Sequence, residues 1–309
     1  MHLDIRKRKL GSETKLVDQE GDAISINDSN TANPVEEGLI IRELQSAEDF
    51  RAFEELQKDV WGQNLVEVIT APLARIVQRI GGIAAGAFDR QGAMLGLVFG
   101  FTGIKGGIPV HWSHMLAVRE SVRDTGLGRK LKLYQRDMLL QAGIKEMYWT
   151  FDPLVARNAH LNFNSLGVEV IEYVPDMYGP GDDSELFRGL GTDRFIVVWR
   201  IGSVSVEKAL ESGEASAGHR FDAAPLVVSR SIDSDPLSAP WFHKNVAGPL
   251  LRVEVPPDIH FLRDKSADAA AQWRTTTRNA FGTLLGLGYR VTGFYREKRS
   301  GRCFYCLEK

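Results

Sequence analysis

The spacing of apolar residues predicts a succession of strands and helices from residue 39 onward. A short apolar run at 39–44 is typical of a strand, and Ser46 followed three residues later by Asp49 is typical of a capping box at the start of a helix. Apolar residues then recur at helical spacing as far as Trp61. A second helix is predicted over 71–82, because a proline lies in its first turn and glycines close it.

Further apolar runs predict the rest of a mixed sheet. Two of them flank a short glycine-containing turn, which predicts a hairpin, and a glycine closes a long helical period further on. The predicted elements are strands at 83–89, 93–101 and 109–118, a helix at 127–140, a strand at 146–152, a short helix at 156–167, and strands at 168–174 and 193–201. The order β-α-α-β-β-β-α-β-α-β-β over residues 39–201 predicts an α+β or mixed α/β domain.

The chain on either side of this domain has a different character. Residues 1–37 are polar and nearly without aromatic residues, which predicts a flexible tail, and we expect the domain to occupy 38–202. Small and polar residues at 203–245 predict a connector with one or two short elements. Residues 246–309 predict a C-terminal β-α-β-β extension. We expect this small piece to dock on the preceding domain or, in a homodimer, on a second subunit.

Composition is typical of a soluble globular protein. The 309 residues carry a formal net charge of −2 and a hydrophobic share of 43%. Near-neutral charge gives no electrostatic footprint for nucleic acid, and the sequence shows neither a membrane-length apolar run nor the apolar core of a secretory signal. We therefore expect a cytoplasmic protein that acts on small molecules, with neither nucleic acid nor a membrane as partner.

The two cysteines of the chain, Cys303 and Cys306, form a C-x-x-C pair near its end. Such a pair is found at redox and metal sites. A structural zinc usually has four ligands, however, and there is no second cysteine pair. The neighbouring apolar residues predict a strand, in which residues i and i+3 point to opposite faces. We therefore expect no metal site here.

The clearest chemical signature is the segment RDTGLGRK at 123–130, between a predicted strand and a predicted long helix. Glycines let the backbone approach an anion closely. The free N–H groups at a helix start and the helix dipole both favour negative charge, and basic side chains add to it. The pattern predicts a pyrophosphate site, and a structural turn with a solvated basic face is the alternative.

Two familiar nucleotide motifs do not fit this segment. Leu131 replaces the third glycine of a G-x-G-x-x-G dinucleotide motif, and no Lys-Ser/Thr pair follows at the spacing of a P-loop. The motif that does fit is R-x-x-G-x-G, from Arg123 to Gly128.

The order of elements around R-x-x-G-x-G resembles that of the GNAT superfamily of N-acyltransferases. A hairpin sheet and a strand precede it, and a long helix, a strand and a short Asn158-initiated helix ending in LGVEV follow. The resemblance covers roughly residues 39–201. Together with WTFDPL and the segment 273–294, the sequence is similar to a GNAT branch that has a C-terminal extension. It implies a mostly antiparallel sheet with a splayed central strand pair and flanking helices, and the use of acetyl-CoA or another acyl-CoA.

The resemblance also implies which residues bind coenzyme A. Backbone N–H groups near Gly126 would hold the pyrophosphate, strand backbone would receive the pantetheine arm, and Asn158 would bond that arm or a water near the thioester. Phe163 stands where many family members have a tyrosine that protonates the leaving thiolate, and it has no proton to give. The implied set is Leu116, Ala117, Val118, Arg123, Asp124, Thr125, Gly126, Leu127, Gly128, Arg129, Lys130, Asn158 and Phe163.

Four further residues are candidates for catalysis or substrate binding. His114 is the first candidate for a base, since by period 2 it shares a strand face with Leu116 and Val118, and a bond within the sheet is the alternative. Asp152 ends a strand at the expected mouth of the cleft, where it is a second base or a turn cap. The others are Tyr178, a substitute acid or a loop anchor, and Arg194, a clamp for a substrate carboxylate or a surface ion pair.

The sequence thus predicts an acyl-CoA-dependent N-acyltransferase in which an amine attacks the thioester directly. Such a reaction needs placement, a base and oxyanion stabilisation, and no covalent intermediate. The expected acceptor is a small amine or an amino acid, with acetyl-CoA as the default donor and succinyl-CoA as an alternative. Two other hypotheses stay open: a non-catalytic acyl-CoA sensor or scaffold of the same fold, and a binding module of another fold that holds a different phosphate ligand.

Overall fold

The first two thirds of the chain alternate strands and helices in the predicted order. A computed structural model describes residues 38–63, 68–179, 190–212, 218–231 and 238–309. Its elements before residue 202 are β1 (Ile40–Glu43), α1 (Ala47–Trp61), α2 (Ala71–Arg79), β2 (Ile83–Phe88), β3 (Met94–Lys105), β4 (Ile108–Val118), a 3-10 turn (Glu120–Val122), α3 (Leu127–Gln141), β5 (Glu146–Phe151), α4 (Ala156–His160), a π-helical segment (Leu161–Leu166), β6 (Glu169–Val174) and β7 (Arg194–Arg200). The tail predicted at 1–37 lies outside the described residues.

Local signals determine where α1 begins. The Ser46 hydroxyl accepts a hydrogen bond from the Asp49 amide, and the Asp49 carboxylate accepts one from the Ser46 amide, both at 3.1 Å. This is the predicted capping box. The Arg42 guanidinium, 2.6 Å away, holds the pKa of the Asp49 carboxyl well below its usual range. The helix buries Phe53 and Leu56 in the core under the sheet.

The first sheet has the strand order β1-β2-β3-β4-β5-β7-β6. Its described strands pair antiparallel except for β4 and β5, which run parallel. A mostly antiparallel sheet with one parallel central pair and flanking helices is the fold class that the sequence predicted, and the structure confirms it.

The rest of the chain builds a second sheet. Its elements are α5 (Val204–Ser212), α6 (Gly218–Phe221), β8 (Leu226–Ser229), β9 (Trp241–Phe242), β10 (Leu250–Val255), α7 (Ile259–Lys265), α8 (Ala267–Gly286), β11 (Arg290–Arg296) and β12 (Cys303–Glu308). The strand order is β11-β12-β10-β8-β9. The segment predicted as a connector thus contributes helices and two strands, and α7 precedes the predicted α8.

A cluster of aromatic rings joins the second sheet and α8 to the first sheet. Phe195 of β7 lies 4.8 Å from Phe281 of α8 and 5.6 Å from Tyr305 of β12, measured between ring centroids. The Tyr305 hydroxyl donates to the Pro153 carbonyl oxygen at 2.8 Å. The described residues from Gly38 to Lys309 belong to one compact unit. The described part of the extension therefore packs on the preceding domain, which is one of the two alternatives that its small size left open.

The cysteine pair lies in this second sheet. Cys303 and Cys306 are free and buried in β12. Burial raises the pKa of Cys303 to about 11 and that of Cys306 to about 12, so both thiols are poor nucleophiles near neutral pH.

Candidate functional site

The parallel strands β4 and β5 of the first sheet pair over only a short stretch and then separate. They form two residue pairs, the last of which is Trp112 with Tyr148. Beyond it β4 stays paired with β3 as far as Val118, and β5 stays paired with β7 as far as Phe151. Each strand therefore turns one edge of backbone N–H and C=O groups towards the gap. We call this gap the β4–β5 cleft, with edges at 113–118 and 149–151.

A β-bulge interrupts β4 inside this cleft. The register with β3 skips one residue between Ser113 and Met115, so His114 is the extra residue. The His114 ring is half-buried, with its centroid 6.3 Å from that of Phe99 and 6.0 Å from that of Phe101. Since Phe99 belongs to the core cluster under α1, His114 lies on the α1 side of the sheet.

The bulge overturns one prediction about this strand. A β-carbon added at Gly128 of α3 would lie 3.9 Å from the Leu116 side chain and 4.0 Å from that of Val118, so both face α3. Ala117 is buried on the opposite side, in the cluster under α1. The prediction that His114 shares a face with Leu116 and Val118 is wrong, because the extra residue reverses the alternation.

The predicted anion turn leads directly into α3. Asp124 has φ 62° and Gly126, the N-cap residue, has φ 82°, so the chain bends twice through the left-handed region before the helix starts. Thr125 closes the turn by donating its hydroxyl to the Val122 carbonyl at 2.8 Å. Among the residues that the structure describes, no side chain caps the first N–H groups of α3, and the first turn of this helix has no acidic residue. Those N–H groups can therefore bind an anion.

Gly128 leaves a space over the start of α3 that the packing of the protein does not require. Its φ is ordinary, and an added β-carbon would meet protein atoms only at normal contact distance. Packing therefore does not require glycine here, whereas close approach of a ligand does. Leu127 beside it is buried and anchors the helix start in the core.

Two basic side chains of the turn contact other groups of the protein. Arg123 lies 3.8 Å from Glu120, and Arg129 donates to the Leu210 carbonyl oxygen at 2.9 Å. Lys130 is half-buried. The backbone of the turn is thus its better defined anion-binding element.

A stripe of polar residues on α3, which the sequence reasoning missed, faces the closed end of the cleft. Lys132 follows Gly128 by four residues and Gln135 follows Lys132 by three, so the three share one helix face. The Lys132 ammonium donates to the Ser113 hydroxyl at 2.7 Å and lies 3.9 Å from the centre of the Trp149 ring. Ser113 and Trp149 are the first residues of the two strands after their last pair.

A chain of hydrogen bonds leads from this lysine to the surface. Ser113 donates to Gln135 Oε1 at 2.8 Å, and Gln135 Nε2 lies 3.2 Å from His111 Nε2. His111 Nδ1 lies 3.3 Å from the Thr102 hydroxyl, which donates to the Gly81 carbonyl oxygen at 2.8 Å. With Gln135 donating to His111, every donor along this path points away from Lys132. A signal was available, because His111 and Ser113 place polar residues on alternate positions of a strand that helix α3 covers.

Burial disfavours the charged form of both basic groups in this chain. Desolvation lowers the pKa of Lys132 to about 7. Desolvation, and then the charge on Lys132, lowers the pKa of His111 to about 3. His111 is therefore neutral near pH 7, and Lys132 exchanges its proton in that range.

Asp152 and Arg194 are buried together at the end of β5 and β7. Each is 5% exposed, and Arg194 Nη1 lies 3.9 Å from Asp152 Oδ2. Asp152 also accepts hydrogen bonds from the Leu154 amide at 2.8 Å and from Arg274 of α8 at 2.5 Å. Asp152 thus has the contacts of a turn cap, which the sequence offered beside the role of a base, and of a buried ion partner. Arg194 forms its ion pair in the interior, whereas the sequence predicted a carboxylate clamp or an ion pair at the surface.

Tyr178 lies on the same side of the sheet as His114. Its hydroxyl is 3.0 Å from the Thr150 hydroxyl on β5, and its ring lies 5.3 Å from the Arg194 guanidinium carbon. The side chain is exposed. Trp149 faces α3, so Thr150, the next residue of β5, faces the α1 side of the sheet. Tyr178 therefore borders the cleft on the α1 side, where His114 also lies.

The two residues carried over from the α4 region have different positions. Asn158 is half-buried, and its backbone N–H donates to the Val155 carbonyl oxygen at 2.9 Å. Phe163 is buried in the π-helical segment, between Phe151 at 6.4 Å and Tyr305 at 5.9 Å. Phe163 therefore serves as a wall between the cleft and the second sheet.

The structure also bears on metal binding and membranes. Among the described residues there is no group of three or more His, Cys, Asp or Glu side chains that could hold a metal ion. In the same part of the chain, no helix is long and apolar enough to cross a membrane.

Comparison with known proteins finds likeness in structure alone. No family model matches the sequence, and no curated protein does. Among solved structures the chain is similar in fold to N-acetyltransferases, one of them described as of the GNAT family. The examples are the ribosomal-protein-S18-alanine N-acetyltransferase from Escherichia coli (18% identity, 54% of this chain and 96% of that chain, TM-score 0.41), an aminoglycoside 6'-N-acetyltransferase complexed with coenzyme A (15%, 53% and 98%, 0.40) and the NatC complex bound to Gag peptide and CoA (15%, 53% and 98%, 0.42). These TM-scores lie below 0.5, so the grounds for a function lie in the cleft and the turn themselves.

Proposed function

We propose that this protein is an acyl-CoA-dependent N-acyltransferase that moves an acyl group, acetyl by default, to the amine of a small molecule. The observation that carries the proposal is the continuity of the turn with the cleft. Gly128 at the start of α3 lies beside Leu116 and Val118 on the edge strand of the opening. A candidate anion site and the edge of β4 beyond its last pair with β5 are thus neighbours, and coenzyme A has a pyrophosphate joined to a chain of amides.

The residues present fit coenzyme A in both parts. The uncapped N–H groups of α3 would hold the pyrophosphate, with Arg123 and Lys130 as nearby positive charges. The open edge of β4 would pair with the amides of the pantetheine arm, as an added strand pairs with a sheet edge. When bound, the acyl-CoA supplies the thioester carbon that the amine attacks.

The α1 side of the cleft is the proposed place of the acceptor amine. His114 lies there in the bulge, and Tyr178 borders the same side through its bond to Thr150. His114 would take the proton of the attacking nitrogen, directly or through a water. The backbone at the bulge would place its N–H groups near the thioester oxygen.

The acceptor we favour is a small amine, with an amino acid included. Arg194 is buried against Asp152, so a substrate carboxylate would need another cation. Succinyl-CoA stays in the set of donors to be tested beside acetyl-CoA.

Thiol release from acetyl-CoA and succinyl-CoA over a panel of amines tests the proposal. We expect release that depends on the amine, and a loss of about 100-fold or more in kcat/KM for His114→Gln. The exposed His243 offers a matched control, so His243→Gln should keep full activity. Tight CoA binding without release from any amine would favour the sensor, and absence of CoA binding would contradict acyl-CoA use altogether.

A further inference from the structure

Lys132 occupies the closed end of the β4–β5 cleft. Its ammonium touches Ser113 and Trp149, the first residue of each strand after their last pair. The same face of α3 carries Gly128 one turn earlier, beside the strand edge proposed to receive the pantetheine arm. Turn, strand edge and lysine therefore follow one another along a single path.

The surroundings of this lysine contain no negative charge among the described residues that contact it. From β4 it faces the neutral His111 and Ser113, from β5 the ring of Trp149, and from α3 itself the amide of Gln135. From the π-helical segment comes Asn162, whose side-chain oxygen accepts the Trp149 ring N–H at 3.0 Å. Lys132 is 3% exposed, and burying a cation without a counter-ion costs free energy, so its pKa falls and it gives up its proton readily.

We propose that Lys132 is the proton donor to the thiolate that leaves when the acyl group is transferred. The proposal rests on the acyltransferase function proposed above. It fills the role for which Phe163 has no proton. Phe163 packs on Phe151, which shares a face of β5 with Trp149, the ring that Lys132 contacts. A pKa of about 7 leaves the lysine protonated in part of the molecules at neutral pH, as a general acid requires.

The amine nitrogen forms a C–N bond with the thioester carbon and loses its proton to His114 or to water. The C–S bond breaks, and the sulfur leaves with the bonding electron pair and takes a proton from Lys132 Nζ. Neutral Lys132 regains a proton from solvent after the thiol has left, because the donors of the hydrogen-bond chain all point away from it.

The ionisation of bound CoA gives a test that needs no turnover. Because the Lys132 ammonium and the CoA thiolate stabilise each other, the two groups ionise as a pair, and opposite charges within a few ångströms lower the thiol pKa by about 1–3 units. We expect the pKa of the CoA thiol, followed by thiolate absorbance on the wild-type protein, to lie below that of free CoA. Lys132→Met should bring it back to the free value. Lys145→Met, at an exposed lysine just after α3, should behave as wild type.

Turnover with two donors then separates this role from a structural one. Lys132→Met and Lys132→Gln should lose about 100-fold or more in kcat with acetyl-CoA, and much less with its selenoester analogue, whose leaving selenolate needs no proton. Methionine has similar length and no charge, so Lys132→Met should fold and bind CoA as wild type does.

Three results would overturn the role of Lys132. They are an unchanged thiol pKa in Lys132→Met, full turnover in both variants, and equal losses with the thioester and the selenoester. If the wild type releases no thiol with any amine, the enzyme proposal fails, while the thiol pKa still decides whether Lys132 faces the sulfur.

Discussion

At the scale of single residues, Gly128 separates ligand binding from stability. Gly128→Ala should raise the free energy of unfolding by about 0.5–1 kcal/mol, because alanine favours the helix and its β-carbon meets only ordinary contacts. The same methyl group fills the space over the turn, so CoA affinity should fall about 10- to 100-fold. Urea unfolding and calorimetric titration with CoA measure the two effects.

A matched substitution in α8 controls for helix propensity. Gly282 is exposed, and an added β-carbon there would have no neighbour within 4 Å. Gly282→Ala should therefore stabilise the protein by a similar amount and leave CoA binding unchanged. If Gly128→Ala binds CoA with wild-type affinity, the turn is a structural connection and the pyrophosphate seat is wrong.

Lys132 should also make stability depend on pH in a defined window. Its pKa falls from 10.5 in the unfolded chain to about 7 in the folded protein, so between these values the unfolded chain binds more protons. The free energy of unfolding of the wild type, relative to Lys132→Met, should rise from pH 7 to pH 10 and stay flat below pH 7. Urea titrations at several pH values measure it, and a relative stability that falls over this range would contradict a buried neutral lysine.

What the sequence revealed about these residues depended on how far apart their partners lie. The turn from Arg123 to Gly128 is contiguous, so its glycines and the following helix period were enough to predict an anion site. Lys132 meets its partner Ser113 only after α3 packs back on β4. The side to which His114 points depends on a bulge, and a single extra residue leaves no mark in a period-2 pattern.

At the scale of elements, a buried ion pair joins α8 to the residue that follows β5 in the first sheet. Arg274 reaches Asp152 at 2.5 Å and also donates to the Leu190 carbonyl oxygen at 2.6 Å. Arg274→Met should cost about 3–5 kcal/mol in the free energy of unfolding, because it leaves a buried carboxylate without its closest cation. Thermal or urea unfolding measures this loss.

Two further variants show whether the cost comes from this pair. Thr275→Ala on the exposed face of the same helix should change stability by less than about 1 kcal/mol. Asp152→Asn combined with Arg274→Met should cost less than Arg274→Met alone, since the unpaired charge is gone. Strictly additive losses would show that the two side chains do not interact.

Sequence patterns could predict α8 and β5 separately, but the partners Asp152 and Arg274 are 122 residues apart, and no local pattern indicates that they pair.

At the scale of the whole molecule, the two sheets share a core, and we expect them to unfold together. Phe195 of the first sheet packs on Phe281 and Tyr305 from the C-terminal part, and Tyr305 also holds the Pro153 carbonyl. Separating the sheets would expose these rings and break the ion pair at Asp152, so a half-unfolded state loses burial on both sides.

Native-state hydrogen exchange measures this coupling strand by strand. Slow amides of β7 and of β12 should exchange with the same free energy, equal to that of global unfolding. Tyr305→Ala removes a fully buried ring and should lower the stability of both strands together by about 3–5 kcal/mol. If β12 exchanged with a markedly lower free energy than β7 in the wild type, the C-terminal sheet would be a separately unfolding unit. The C-terminal sheet would then separate from Phe163 while β4 and β5 stay folded.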